Sequence, residues 1–228
     1  MTSPPFERAR SAEAKRIRET AILEAAARLA AERGIREVTL TDIAAAVGMH
    51  KSAMLRYFET REEIFLRLSA SGWAEWSEAV RERLGPLGDA DSSDSEEQIS
   101  EVAGILTETL VARPLFCDLL AQTPLNLERG VSFEAVRSFK IRAIAEAEAI
   151  GAALGKALPV TPEQGGDTVT TAVSMAGALW QMAAPGTELR SFYRSSPELA
   201  HAVVDVAPRL TGILTALLRG YLTESSRR

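Results

Sequence analysis

Two helix-start signals stand close together near the front of the chain. Thr39 lies three residues before Asp42, and Thr60 lies three before Glu63. In each pair the hydroxyl is placed to accept from an unpaired N–H of a helix's first turn, and the carboxylate is placed to reach back. Asp is a weaker partner in this role than Glu. Gly48 interrupts the interval as a natural break. The interval therefore has room for two short helices, over 39–47 and 51–57. A long helix follows from residue 60 to about Leu84.

The rest of the chain reads the same way. Ala occurs 37 times among 228 residues, aromatics make up 6%, and no useful stretch has strand periodicity. Ala, Leu, Glu and Arg are helix formers. Ile22, Ala26, Leu29 and Ala30 recur at helical spacing, which predicts a first helix over Ala12–Arg33 stopped by Gly34. Further helices are expected over Glu96–Ala112, Pro114–Gln122, Phe133–Leu158, Pro162–Ala183 and about Asp205–Tyr221. Pro114, Pro124, Pro159, Pro185 and Pro197 supply breaks. Gly85–Ser95 (GPLGDADSSDS) has a linker's composition and is expected to be mobile. The fold class is all-α. Residues 12–59 are expected to form a three-helix helix-turn-helix domain. Residues 60–228 are expected to form a second helical domain joined to the first by helix 60–84.

Several function classes are excluded or disfavoured early. One cysteine, Cys117, cannot build an intrachain disulfide framework or a cysteine-rich metal site. Two histidines far apart in sequence do not suggest zinc, so no metal or cofactor is expected. Met1–Arg18 lacks the apolar core of a secretory signal. Val169–Ala184 is too short and too polar for a membrane span. A cytoplasmic location without a membrane partner follows as the expectation. Net charge is −5, but it is unevenly spread. Arg8, Arg10, Lys15, Arg16 and Arg18 outnumber Glu7 and Glu13 in the first 18 residues, whereas the rear of the chain is acidic.

Residues 39–58 (TLTDIAAAVGMHKSAMLRYF) have the layout of a helix-turn-helix. On the second short helix, Met54 and Phe58 share one face and are placed to pack on Ile43, Val47 and the first helix. Ser52 and Arg56 point the other way, Ala53 and Leu55 flank them, and Lys51 stands at the first turn. Short side chains around a long cation let a helix approach base edges, with Arg56 and Lys51 within reach of guanine or phosphate. The same spacing also occurs in plain helical corners.

Wider matches make the pattern specific. They comprise Ile22-Leu23-x-x-Ala26, Gly34, Val38-Thr39, Asp42-Ile43-Ala44, Val47-Gly48 and Tyr57-Phe58-x-x-Arg61-Glu62-Glu63-Ile64. In order and spacing, Ile22–Leu68 resembles the DNA-binding domain of the tetracycline-repressor (TetR) family of bacterial transcription regulators. The resemblance implies a homodimer on a double-stranded DNA operator, with a second domain that binds a small molecule and sets the DNA affinity. It implies that Thr39 holds a phosphate. Lys51, Ser52, Ala53 and Arg56 then fall on the groove-facing helix, and Tyr57 late on it. Arg61 matches a phosphate-binding Lys of the family; Arg keeps the charge but offers a fork. The chain has Leu55 where the family usually has Tyr, so a hydroxyl is lost and contact with a thymine methyl is gained as an option. It also has His50 where a small polar residue is usual. Both departures bear on which operator is read.

The second domain shows two faces at helical spacing near its end. Leu210, Ile213, Leu214, Leu217, Leu218, Tyr221 and Leu222 form an apolar stripe, and Gly212, Ala216 and Gly220 lie four apart on another face. Helix 162–183 is apolar or small nearly all round, with Val169, Val173, Ala176 and Trp180 along one side and Ala172, Met175, Leu179 and Met182 along another. Such a helix is expected to be buried on both sides, one against its own core and the other against a partner. By the resemblance these two helices form a four-helix bundle with a second copy, which places Val173, Gly212, Ala216, Leu217 and Gly220 at a dimer interface. An intramolecular core is the alternative. Phe116, Phe139, Met175 and Trp180 are the candidate lining of an effector pocket, which would be apolar with few polar groups. Cys117 reads as a small buried hydrophobe.

No nucleophile–base spacing, phosphate-binding glycine loop or metal cluster supports an enzyme. Glu62-Glu63 and Glu96-Glu97 sit at helix starts, where they oppose the positive end of the dipole. The expectation is a ligand-responsive DNA-binding regulator, a repressor released by a small apolar effector. The alternative is a helical protein-interaction adaptor that does not bind DNA.

Overall fold

The computed structural model describes residues 5–89 and 95–225. Ten α-helices and several short 3-10 or π turns make up its regular structure, and no strand is present among the described residues. The helices are α1 (Pro5–Arg33), α2 (Leu40–Ala46), α3 (Lys51–Met54), α4 (Arg61–Leu84) and α5 (Ser95–Val111). They continue with α6 (Pro114–Gln122), α7 (Phe133–Ala157), α8 (Pro162–Ala183), α9 (Glu188–Ser195) and α10 (Val206–Ser225).

The punctuation read from the sequence operates largely as expected. Gly34 ends α1 at φ 83°, and its N–H donates to Ala30 O at 2.8 Å. Gly48 sits at φ 66° between α2 and α3. The Thr39 hydroxyl accepts from Asp42 N at 3.2 Å, and Asp42 accepts from Thr39 N at 2.8 Å, a reciprocal cap. These bonds from the Thr39 side chain and main chain hold the Asp42 carboxyl below its usual range. At α4 the reciprocity is offset by one residue. Thr60 accepts from Glu63 N at 3.1 Å, but Glu63 reaches back to Glu59 N at 2.6 Å.

Some boundaries differ from expectation. α1 begins at Pro5, seven residues early. α3 is helical only to Met54, and residues 55–57 form a tighter turn, with Tyr57 N donating to Met54 O at 2.9 Å. Of the expected linker, Gly85–Asp89 winds into a 3-10 turn, Ser95 already opens α5, and 90–94 lie outside the described residues. The short helix α9 has no counterpart in the sequence reading.

One continuous apolar core runs from Ile22 on α1 to Leu218 on α10. Ile64, Phe65 and Leu66, on the first turns of α4, are buried in it, so no gap in the core opens at residue 60. α4 packs beside α1 and along α7, while α10 lies against α5 and α8. Trp73 and Trp76 meet edge-on at 5.6 Å between centroids, and the Trp76 indole donates to Thr109 on α5 at 3.0 Å. Where α8 crosses α6, a side chain at Gly177 would place its Cβ 2.9 Å from Ala121 N, so only glycine allows that approach.

Candidate nucleic-acid interface

The helix-turn-helix unit is built by splitting α2 and α3 into inner and outer faces. Ile43 and Met54 are 0% exposed and Phe58 is 1% exposed, so these three lock the unit onto α1. Lys51, Ser52, Leu55 and Arg56 all point into solvent, Leu55 with 54% of its surface exposed. Ala53 is half-buried on the flank. Tyr57 is half-buried with its ring against the core, which limits its reach. His50 precedes the first turn of α3 but makes no side-chain cap bond. The arrangement offers a groove-facing surface of small residues, one apolar side chain and two long cations.

Thr39 is exposed, and its hydroxyl also donates to the Asp42 carboxylate at 2.6 Å. Arg61 is turned inward. Its guanidinium donates to the carbonyls of Val38 and Ile35, and to Glu62 at 2.9 Å. It also lies 4.8 Å from the centre of the Phe65 ring. These bonds staple the start of α4 to the turn that follows α1. The sequence motif alone shows a cation at this position, not which way it faces.

The four candidate effector residues do not come together. Phe116 is buried against Trp73 and Trp76, with centroids at 5.9 and 6.2 Å, and it fills the space beside Gly72. Phe139 borders a polar cleft of about 420 Å³ between the start of α4 and α7, shared with Glu63, Arg67 and Arg142. Trp180 borders another cleft of about 490 Å³, formed where α8, α9 and α10 meet. Met175 is half-buried against the core. Gln181 donates to Asp118 at 2.8 Å and Gln122 accepts from Asn126 at 2.7 Å.

The expected dimer residues occupy outward or marginal positions. Gly212, Ala216 and Gly220 are exposed, and a Cβ on either glycine would meet nothing within 4 Å. Val173 and Leu217 are half-buried. Within one copy only one side of α8 is buried, and the side expected to need a partner is open. Val169, Ala172, Ala176 and Leu179 are buried, whereas Thr170, Ser174, Ala178 and Met182 are exposed.

Residues 22–68 match the family described as "Bacterial regulatory proteins, tetR family", and residues 70–225 match "Tetracyclin repressor-like, C-terminal domain". The chain belongs to the TetR family. It is a transcriptional regulator with a DNA-binding helix-turn-helix and a ligand-binding domain. Solved structures share this TetR fold. The fatty acid degradation regulator FadR from Bacillus halodurans is 14% identical, covering 96% of this chain and 97% of its own, with a TM-score of 0.55. PfmR from Thermus thermophilus is 18% identical over 87% and 97% of the two chains, with a TM-score of 0.53. The multidrug binding protein EbrR, complexed with imidazole, is 19% identical over 88% and 94%, with a TM-score of 0.54. No curated protein sequence matches the chain. No helix among the described residues is long and apolar enough to cross a membrane.

Proposed function

We propose that this TetR-family regulator is a repressor that acts in the cytoplasm as a homodimer, binds a palindromic operator, and is released by a small apolar effector. The observation that carries the DNA-binding part is the inside–outside split of α3. Met54 is fully buried, while Lys51, Ser52, Leu55 and Arg56 are all exposed on a helix seated by α1 and α2. An adaptor would have no need of a cationic outer face bordered by small residues. Lys51 and Arg56 read base edges or phosphate, Leu55 touches a thymine methyl, and Thr39 holds a phosphate. Arg61 positions the start of α4, whose N-terminal N–H groups face the backbone of the DNA.

Pairing follows from the outer faces of α8 and α10. Ser174 and Ala178 on α8, with Gly212, Ala216 and Gly220 on α10, leave a small-residue surface open within one copy, with Met182 exposed beside it. Such a surface lets helices of a second copy approach closely, with Val173 and Leu217 at its edge. Effector binding among α4–α8 is supported by the family and by two proteins of the same fold, the fatty acid degradation regulator FadR and the multidrug binding protein EbrR. A ligand there would open space beside Phe116, Met175 or Trp180, and it would tilt α4.

The test is to recover bound fragments from the source genome and measure affinity for the best fragment and for its scrambled version across salt concentrations. Steep salt dependence on both, with the recovered fragment bound far more tightly, is expected. Equal binding to both sequences would overturn the operator reading.

A further inference from the structure

The outward face of α7 takes no part in the roles described above. Phe133 is 94% exposed, Ile141 52% and Ile144 54%. Arg137, Glu148 and Ala152 are exposed on the same face. The side chains of Arg137 and Glu148 make no hydrogen bond or ion pair with any described residue. The opposite side of α7 is already occupied: Phe139, Ala143, Ile150 and Leu154 are buried against the body of the protein.

Positions 137, 141, 144 and 148 follow one another at intervals of four, three and four. That is the 3.5-residue period of a seam on which another helix packs. The order of residue types identifies the partner. A twofold axis crossing α7 between Arg142 and Ala143 brings a second α7 alongside in the opposite direction. Ile141 then faces Ile144 of the second copy. Arg137 faces Glu148 of the second copy, and the Phe133 ring faces the small Ala152 of the second copy. Each contact occurs twice, as an isologous interface requires. Apolar meets apolar, cation meets anion, and the largest side chain meets one of the smallest.

DNA and anionic lipid fit this face poorly, because Glu148 offsets Arg137 and the two isoleucines occupy the centre. We propose that the outer face of α7 binds the same face of a second copy of this chain, antiparallel, through Ile141–Ile144 and Arg137–Glu148 contacts. This surface is separate from the α8 and α10 faces assigned to pairing, and it does not depend on them. Used together, the two surfaces join dimers into larger assemblies.

A charge-swap series on the full chain tests the pairing. Wild type, Arg137→Glu, Glu148→Arg and the double variant are measured by sedimentation over a wide concentration range, with circular dichroism as a check on folding. Each single variant sets like charges opposite each other twice and should raise the concentration needed for assembly by about tenfold. The double variant restores both pairs and should assemble as wild type does. A wild-type four-copy mass that halves in the single variants supports both surfaces. A wild-type two-copy mass that falls to one copy supports the α7 pairing and overturns pairing through α8 and α10. If all four proteins keep one mass throughout, or the double variant fails to recover, the α7 pairing is wrong.

Discussion

Asp118 on α6 accepts a hydrogen bond from the main-chain N–H of Ile35, 3.5 Å away, in the turn that follows α1. The carbonyl of the same Ile35 accepts from Arg61 at the start of α4. The second Asp118 oxygen accepts from Gln181 on α8 at 2.8 Å. One turn of the DNA-binding unit is thus held by α4 and α6 together, and through Asp118 it is tied to α8. A shift of α6 against α4 would move or break the Asp118–Ile35 contact, which links the rear helices to the turn before α2.

Asp118→Ala removes two acceptor contacts without touching the core. The bond to Ile35 is long and part-exposed, so its net worth is about 1 kcal/mol. For a chain of this size that corresponds to a fall in thermal midpoint of about 2–4 °C. Calorimetry checks it, and an unchanged midpoint would show that the link carries no stability.

Arg61→Ala separates two roles for one cation. The carbonyls of Val38 and Ile35 lose their charged donor, so stability should drop by about 1–3 kcal/mol. The salt dependence of DNA binding should keep its slope, because the guanidinium faces inward. A phosphate ligand would behave differently: losing it lowers the slope by about one. Urea unfolding and a salt titration on the same protein read both quantities.

Arg56→Ala should erase discrimination at one operator position. The residue is exposed on the outer face of α3 and makes no contact that the fold needs. Loss of a bidentate contact to guanine corresponds to about 1–3 kcal/mol on the operator and far less on scrambled DNA. Equal losses on both sequences would reassign Arg56 to the backbone.

Much of this was legible in the sequence because local chemistry decides it. Thr39, Thr60, Gly34 and Gly48 set helix ends through bonds made within a few residues, and Pro114 and Pro162 each open a helix at the position read from the sequence. The buried–exposed split of α3 follows from helical spacing alone. What stayed hidden depends on distant partners. The direction taken by Arg61 is set by carbonyls 23 and 26 residues away, and the Asp118–Ile35 bond spans 83 residues. Phe116, Phe139 and Trp180 carry the same apolar signal whether they fill a core or border a cleft. α9 escapes the sequence pattern because it is short and lies between the breaks at Pro185 and Pro197.

Ala216→Trp tests the α10 surface cleanly. Ala216 is exposed, so an indole there fits within a single copy and should not reduce its stability. Against a second copy the same indole overfills a close helix contact, at a cost of about 1–3 kcal/mol for each side chain inserted. Light scattering should show pairing through this face weakened. Operator affinity should fall with it, since both half-sites must be held together. A Trp variant that pairs and binds DNA like wild type would remove α10 from the interface.

Cys117 provides a test of packing by pH. It is fully buried and its thiol donates to Leu110 O at 3.2 Å. Burial, with a smaller contribution from the Asp118 charge, pushes its pKa up from 9.0 to about 12. The folded state therefore keeps the thiol proton over a range in which the unfolded chain sheds it. Stability from this group is fully present below pH 9 and declines as pH rises toward 12. The decline approaches about 1.4 kcal/mol for each pH unit. Cys117→Ala lacks the titration, while every other alkaline group is common to both proteins and cancels. The stability gap between wild type and Cys117→Ala should stay constant through neutral pH. It should narrow by about 1.4 kcal/mol between pH 8 and 10, read from urea unfolding at each pH. A gap of the same size throughout would mean that the thiol ionises in the folded protein as easily as in water, contrary to its buried place on α6 against α5.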